Sequence, residues 1–420
     1  MKKTITTLAA ATALAGAAVA AADAPPPLLG FYPQAGTLGQ DLFVANHVDL
    51  RDGPGILDFA CSDDTYDGHS GQDTGIRSFR EVAIGVPVFA ALDGRVFSIQ
   101  FAVGGDLNWG ATVSRFDNHI ILDHGDGVYT VYGHLARRSI KVKKGQWVPA
   151  GAQIGLTASS GNSSGPHLHF TVQNQGAIFE PFAGECRPGS SGWSKQPALD
   201  RAAYVGNVTL SAKPFSGRRD IPYDEAVRMG TFERGLRDVH VRIELRNWRG
   251  GEGTISVTRP DGSVAATVAA AAPNFQYGWT KKRLRLDLAQ LGRWTLRYSL
   301  DGTMLAEAPF DVVAGARQIR NRPPVAVTAS LEPTAPRAGQ VVVCRVSTSL
   351  VAEDPDYDIV RFRYRWTTGS RVLRQVTSAA LSDALRNDAA RPGETLSCEV
   401  TPSDGKLRGP TTSVSATLPA

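Results

Sequence analysis

Hydrophobic and polar positions along this chain alternate in short runs. HVRIELRNW (240–248), RLRLDLAQLGRWTLRYSL (283–300) and RFRYRW (361–366) switch between apolar and polar at nearly every step. A period of two marks strands with one face buried and one solvated. Denser apolar runs, VPVFAALDGRVFSIQFAV (86–103) and NHIILDHGDGVYTVYGHL (118–135), read as strands joined by turns. Glycines and Asp-Gly pairs separate the runs, and Asp261-Gly262 and Asp301-Gly302 are placed for tight hairpin turns. The pattern predicts a mainly β protein.

The punctuation divides the chain into three regions. The first, 28–204, holds all but one of the eight histidines. The second, 205–314, alternates regularly and predicts a β-sandwich. The third, 323–420, follows the proline break NRPP and carries VVVCRVS, RFRYRW and LSCEVTPSDG. A tryptophan, Trp366, between two cysteines predicts an immunoglobulin-like sandwich there.

The first residues, MKKTITTLAAATALAGAAVA, place two lysines before a short apolar run that ends in small residues. This predicts a secretory signal peptide over 1–22 and a periplasmic or extracellular location. No later run is apolar enough over about 18 residues to predict a membrane span. Export changes the reading of the four cysteines. An even count in an oxidising compartment predicts disulfides, and Cys61–Cys186 with Cys344–Cys398 keeps each bridge within one region.

At 420 residues, 42% hydrophobic and 20% charged, the chain is long enough and apolar enough to fold as several domains. A net charge of +5 is too small for this length to indicate nucleic-acid binding. A monomer is the working assumption.

The chemistry concentrates in three places. GPHLHF (165–170) puts His167 and His169 on one side of a strand, with Cβ atoms about 6–7 Å apart. One can bind a metal while the other reaches an attacking water. HSGQD offers His69 and Asp73 within a glycine-rich stretch that reads as a loop. VYGHL presents His134 at the end of a strand. Catalytic zinc takes three protein ligands and keeps an open position. Five candidates for three places leave two histidines for proton transfer and oxyanion stabilisation.

HSGQD, YGHL and GPHLHF, in that order, resemble the three signatures of the M23 (LytM or lysostaphin-like) zinc metallopeptidases. The likeness is strong over Val86 to Phe182 and looser from Phe31. It implies an antiparallel β-sheet peptidase domain with one Zn2+ in a groove. It implies His69, Asp73 and His169 as zinc ligands, and His134 and His167 as catalytic histidines. It also implies hydrolysis of peptide bonds, most often in peptidoglycan crosslinks. Gln72 departs from the residue types common at its position. Tyr132 is expected to share the face of His134 and line the site, and Asn118 to lie near the metal.

Other features receive lesser readings. His119 and His124 are expected to be structural or at the rim, and His47 and His240 have no assigned role. The serines of SSGNSSG lack a nucleophile elbow. Asp354, Asp356 and Asp358 alternate along the chain and are candidate Ca2+ ligands. The expected function is therefore that of a secreted zinc metalloendopeptidase acting on peptidoglycan. The alternatives are a protein-degrading endopeptidase of the same family and a non-catalytic LytM-type binding or activator protein.

Overall fold

The computed structural model describes residues 27–101, 105–109, 117–199, 201–215, 227–271, 277–347, 353–388 and 390–419. The leader expected over 1–22 lies outside them. The architecture is mainly β, as the alternation predicts.

The first unit is built on β1 (Phe43–Asn46), β2 (Gln72–Gly75), β3 (Pro87–Phe89), β4 (Gly94–Gln100), β5 (His119–Asp123), β6 (Val128–Gly133), β7 (Trp147–Val148), β8 (Gln153–Leu156), β9 (His167–Asn174) and β10 (Ala177–Phe179). Eight of these form one antiparallel sheet in the order β1-β2-β9-β6-β5-β4-β7, with β10 added to β9; β3 and β8 pair separately. In β9, Leu168, Phe170 and Val172 enter the core beside Ile120, Leu122 and Tyr132. The alternate residues His167 and His169 therefore emerge on the opposite face. Cys61–Cys186 forms within this unit.

Register matters more than propensity for the site. β2 pairs with β9 so that Asp73 lies opposite His169, and β6 pairs on the other side so that Gly133 lies opposite His169. Three segments far apart in sequence thus meet at one residue of the central strand. The expected loop through HSGQD ends at Gly71, because residues 72–75 join the sheet as β2.

The second unit packs a three-stranded sheet (Tyr204–Ser211, Gly235–Arg246, Tyr277–Leu288) on a five-stranded one. Its core includes Trp248, Trp294, Tyr298 and Phe310. Hairpin turns fall at Asp261-Gly262 and Asp301-Gly302, with Gly262 at φ 83° and Asp301 and Gly302 at 48° and 80°. These positive angles are what Asp-Gly tolerates.

The third unit packs sheets of three and four strands. Cys344, on the three-stranded sheet, is bonded to Cys398, on the four-stranded one. Trp366 pairs opposite Cys398, is fully buried, and donates Nε1–H to Asp383 at 2.9 Å. Ala379, Ala380 and Ala384 of this unit share an apolar cluster with Leu42, Ile76 and Phe89 of the first. The third unit therefore packs against the histidine-bearing unit despite its distance in sequence.

The calcium expectation is corrected here. Alternate carboxylates share a cation only where a loop turns them to one point, and in the bend and turn at 353–356 they do not converge. Asp354 Oδ1 accepts the backbone N–H groups of Asp356 and Asp358, Asp356 pairs with Arg322 at 2.9 Å, and Asp358 with Lys406 at 3.2 Å. Each carboxylate is turned to a different partner, so a shared calcium site is not supported. No helix among the described residues is long and apolar enough to cross a membrane.

Candidate active site

His69, Asp73 and His169 converge. His69 Nε2 lies 3.2 Å from His169 Nδ1 and 3.2 Å from Asp73 Oδ2, and His169 Nδ1 lies 2.8 Å from Asp73 Oδ1. Zinc at about 2.0–2.1 Å from each donor sets tetrahedral donor–donor edges of about 3.3 Å. The edge between the two rings matches this, while Asp73 meets them through different oxygens; with one donor atom from each side chain, all three lie within 4.8 Å of one another. Among the described residues they form the group of His, Cys, Asp and Glu side chains close enough to hold a metal.

The surroundings fix which ring nitrogen faces the cluster. His69 Nδ1 lies 2.7 Å from the carbonyl of His47, which can only accept, so this nitrogen carries the proton. Nε2 then offers its lone pair inward. His169 presents Nδ1 inward, and its Nε2 is held by Thr171 Oγ1 at 3.0 Å. Asn46 Nδ2 donates to Asp73 Oδ2 at 3.0 Å. Metal-ligating side chains are oriented by such outer partners. Burial opposes ionisation of Asp73, but the His69 and His167 rings outweigh it and hold its carboxyl well below the usual range.

His134 and His167 stand beside this cluster. Their ring centroids are 4.3 Å apart, and His134 lies 6.0 Å from His169. His134 follows the last residue of β6 at φ 57°, an unusual angle for a residue with a side chain. Asp117 holds it there by accepting its backbone N–H at 2.7 Å. His134 Nδ1 donates to the Ser160 carbonyl at 2.7 Å, and His167 Nδ1 to the Gly165 carbonyl at 2.8 Å. Both rings thereby turn Nε2 away from these backbone anchors, and that of His167 lies 3.5 Å from Asp73 Oδ1. Burial, helped by the neighbouring His167, lowers His134 to about 4, so its ring is neutral near pH 7.

Two glycines are required by close approach. A Cβ on Gly71 would sit 2.8 Å from His169 Nε2 and 2.7 Å from Thr171 Oγ1. One on Gly133 would sit 2.6 Å from Asp117 Oδ2.

The expectation for Tyr132 is corrected. Alternation along β6 ends where His134 turns to positive φ, so the two residues do not share a face. Tyr132 is fully buried and its hydroxyl accepts the N–H of Ala91 at 2.7 Å. Asn118 is also buried, and its carboxamide donates to Asp106 and to the Leu135 carbonyl. Gln72 points away from the cluster and donates to buried Glu180 at 2.7 Å. His119 bonds Asp117, and His124 bonds the Asp93 carbonyl and Thr130, consistent with structural roles.

Other contributors escaped the sequence reading. Asn46, Asp117, Thr171 and the His47 carbonyl each fix a site side chain, and none sits in a distinctive local pattern. The serine run was visible, but its use was not. It supplies the Ser160 carbonyl to His134, and Ser163 Oγ lies 3.3 Å from His167 Nδ1. The second unit also reaches the site. Glu244, Arg246 and Trp279 wall a cavity of ≈ 90 Å³ whose other side includes Asp73, His167 and Trp109.

Residues 69–181 match the model of Peptidase family M23. The resemblance carried by the three motifs therefore holds over that stretch, about a quarter of the chain. An uncharacterized metalloprotease of Haemophilus influenzae is 33% identical over 133 residues, 32% of this chain and 26% of that protein. The peptidoglycan DD-endopeptidase ShyA of Vibrio cholerae is 35% identical over 89 residues, 21% of this chain and 18% of that protein. The chain thus spans about a quarter or less of the length of these relatives. Among solved structures, the catalytic domain of lysostaphin from Staphylococcus simulans is similar at 32% identity, covering 27% of this chain and 76% of that one, with a TM-score of 0.20.

Proposed function

We propose that this protein is an exported zinc metalloendopeptidase that hydrolyses peptide bonds in peptidoglycan crosslinks. The observation that carries the reading is the triangle of His69 Nε2, Asp73 carboxylate and His169 Nδ1, with two anchored histidines beside it. The peptidase family of residues 69–181 and the peptidoglycan endopeptidases similar to them support it. Two disulfides agree with an oxidising compartment outside the cytoplasm.

His69, Asp73 and His169 would hold the ion. When bound there, zinc supplies a Lewis acid that polarises the scissile carbonyl and makes water nucleophilic near neutral pH. The chain's own groups do the rest. His134 is neutral, with its proton committed to Ser160, so Nε2 can take a proton from the attacking water. That proton passes to the departing amine as the C–N bond breaks, leaving a carboxylic acid, which loses its proton to water, and an amine. His167 donates through Nδ1 to Gly165, so it directs an Nε2–H at the oxygen where negative charge develops as the imidazolium, a form that burial opposes but the adjacent Asp73 carboxylate favours. Asp117 holds the backbone of His134 in register with both.

Purified sacculi incubated with the enzyme, with and without chelator, test this by mass spectrometry of the released fragments. New amino and carboxyl termini within stem or bridge peptides, absent with chelator, are expected. Cleavage of proteins with intact sacculi would favour the protein-degrading alternative.

A further inference from the structure

The face of the sheet that carries the histidines does not end at the site. The pairing Trp147–Arg95–Asp123–Tyr129–Gln173 runs straight across β7, β4, β5, β6 and β9. Directly paired residues share a face, and Gln173 lies on the face of His169, four residues away along β9. This row therefore lies on the catalytic face, about 13 Å from His169 along the strand. It spans five strands, about 19 Å.

A bulge enriches the row. The register of β4 against β5 shifts between Val96 and Ser98, leaving Phe97 as the extra residue. Bulges re-aim side chains. Phe97 packs edge-on against Tyr129 with centroids 5.5 Å apart, which places it on the catalytic face. Phe97 is 47% exposed and Trp147 54%, and the Arg95 guanidinium lies 5.8 Å from the Trp147 ring. These aromatics do not complete the core, and an exposed aromatic cluster on a functional face marks a binding surface.

We propose that this row is a saccharide-binding platform that seats the glycan of the same polymer whose peptides reach the histidines, a proposal that rests on the peptidoglycan reading above. Two rings of the row, Trp147 and Tyr129, stand beside the polar groups Arg95, Asp123 and Gln173. A pyranose offers a C–H face to stack on a ring and a rim of hydroxyls for such polar groups. A dry protein interface would have to strip water from Arg95 and Asp123, whose side chains bond only the Gly145 carbonyl and the Gly125 N–H among the described residues. The length of the row suits a chain of sugars better than a single small molecule, and its continuity with the catalytic face lets one polymer occupy both.

The test uses the full chain and a Phe97→Ser/Trp147→Ser double variant, both positions being exposed. The probes are glycan strands freed of stem peptides and a soluble β-1,4-linked N-acetylglucosamine hexamer. The parent protein is expected to bind both probes, and the double variant to bind at least about tenfold more weakly. Both are expected to cleave a short soluble peptide at equal rates. Failure of the parent to bind peptide-free glycan, equal binding by the variant, or a selective loss of binding to anionic vesicles would overturn the platform. Because these probes contain no scissile peptide, glycan binding without sacculus cleavage would sink the peptidase reading and leave the platform standing.

Discussion

His69 Nε2 and His169 Nδ1 lie 3.2 Å apart although 100 residues separate them in sequence. Each ring is fixed from its far nitrogen, His69 by the His47 carbonyl and His169 by Thr171. Two imidazoles aimed at one point this way are preorganised for a cation.

That preorganisation depends on the missing side chain at residue 71. Gly71→Ala places a methyl group against the His169 ring and Thr171 Oγ1. The ring must move, so zinc affinity, read by chelator competition, is expected to fall by about 10–100-fold. The melting temperature of the metal-free protein is expected to shift by only a few degrees. Unchanged zinc affinity would show that the ring has slack.

His134 stands outside the proposed metal cluster, so the two are expected to be separable. His134→Ala is expected to reduce hydrolysis by about 10²–10⁴-fold while leaving zinc content unchanged. Loss of zinc in this variant would make His134 a ligand instead of a proton carrier.

Asp117 gives a pH signature in stability. Burial opposes its ionisation, but His119 and His134 outweigh this and hold its carboxyl below the unfolded value of 3.8. Its stabilisation is therefore complete above about pH 4 and is lost as pH falls toward the folded-state value. Asp117→Asn is expected to cost about 1–3 kcal/mol at neutral pH and to flatten the fall in melting temperature between about pH 5 and pH 3. Parallel profiles for the two proteins would remove Asp117 from this role.

Cys61–Cys186 closes a loop of 125 residues around the site-bearing sheet. Cys61→Ser/Cys186→Ser is expected to lower unfolding free energy by about 2–5 kcal/mol in denaturant titrations. A loss below about 1 kcal/mol would mean the unfolded chain is already constrained there.

Much of this was legible in the sequence. Period-two alternation is a local property, so strands such as 167–174 and the turns at Asp261-Gly262 and Asp301-Gly302 could be read directly. The five site side chains were legible because three short motifs each carry their own spacing. What escaped depends on long-range register. Nothing near Asp117 announces that its carboxylate will meet the backbone of His134, and nothing near Asn46 announces Asp73. Tyr132 was misplaced because alternation was extended through His134, where the backbone leaves the strand. The aspartates at 354–358 were misread because the cations that claim two of them, Arg322 and Lys406, are distant in sequence. The approach of Trp279, Arg246 and Glu244 to the site depends on how two units pack, which no local pattern encodes.

The most direct measurement is zinc content with hydrolysis, on the full chain and on His169→Ala, after purification without added chelator. One zinc per chain and chelator-sensitive release of peptide fragments from sacculi are expected for the parent, and neither for the variant. A variant that keeps stoichiometric zinc, or that digests sacculi as the parent does, would contradict the assignment of His69, Asp73 and His169 as the metal site.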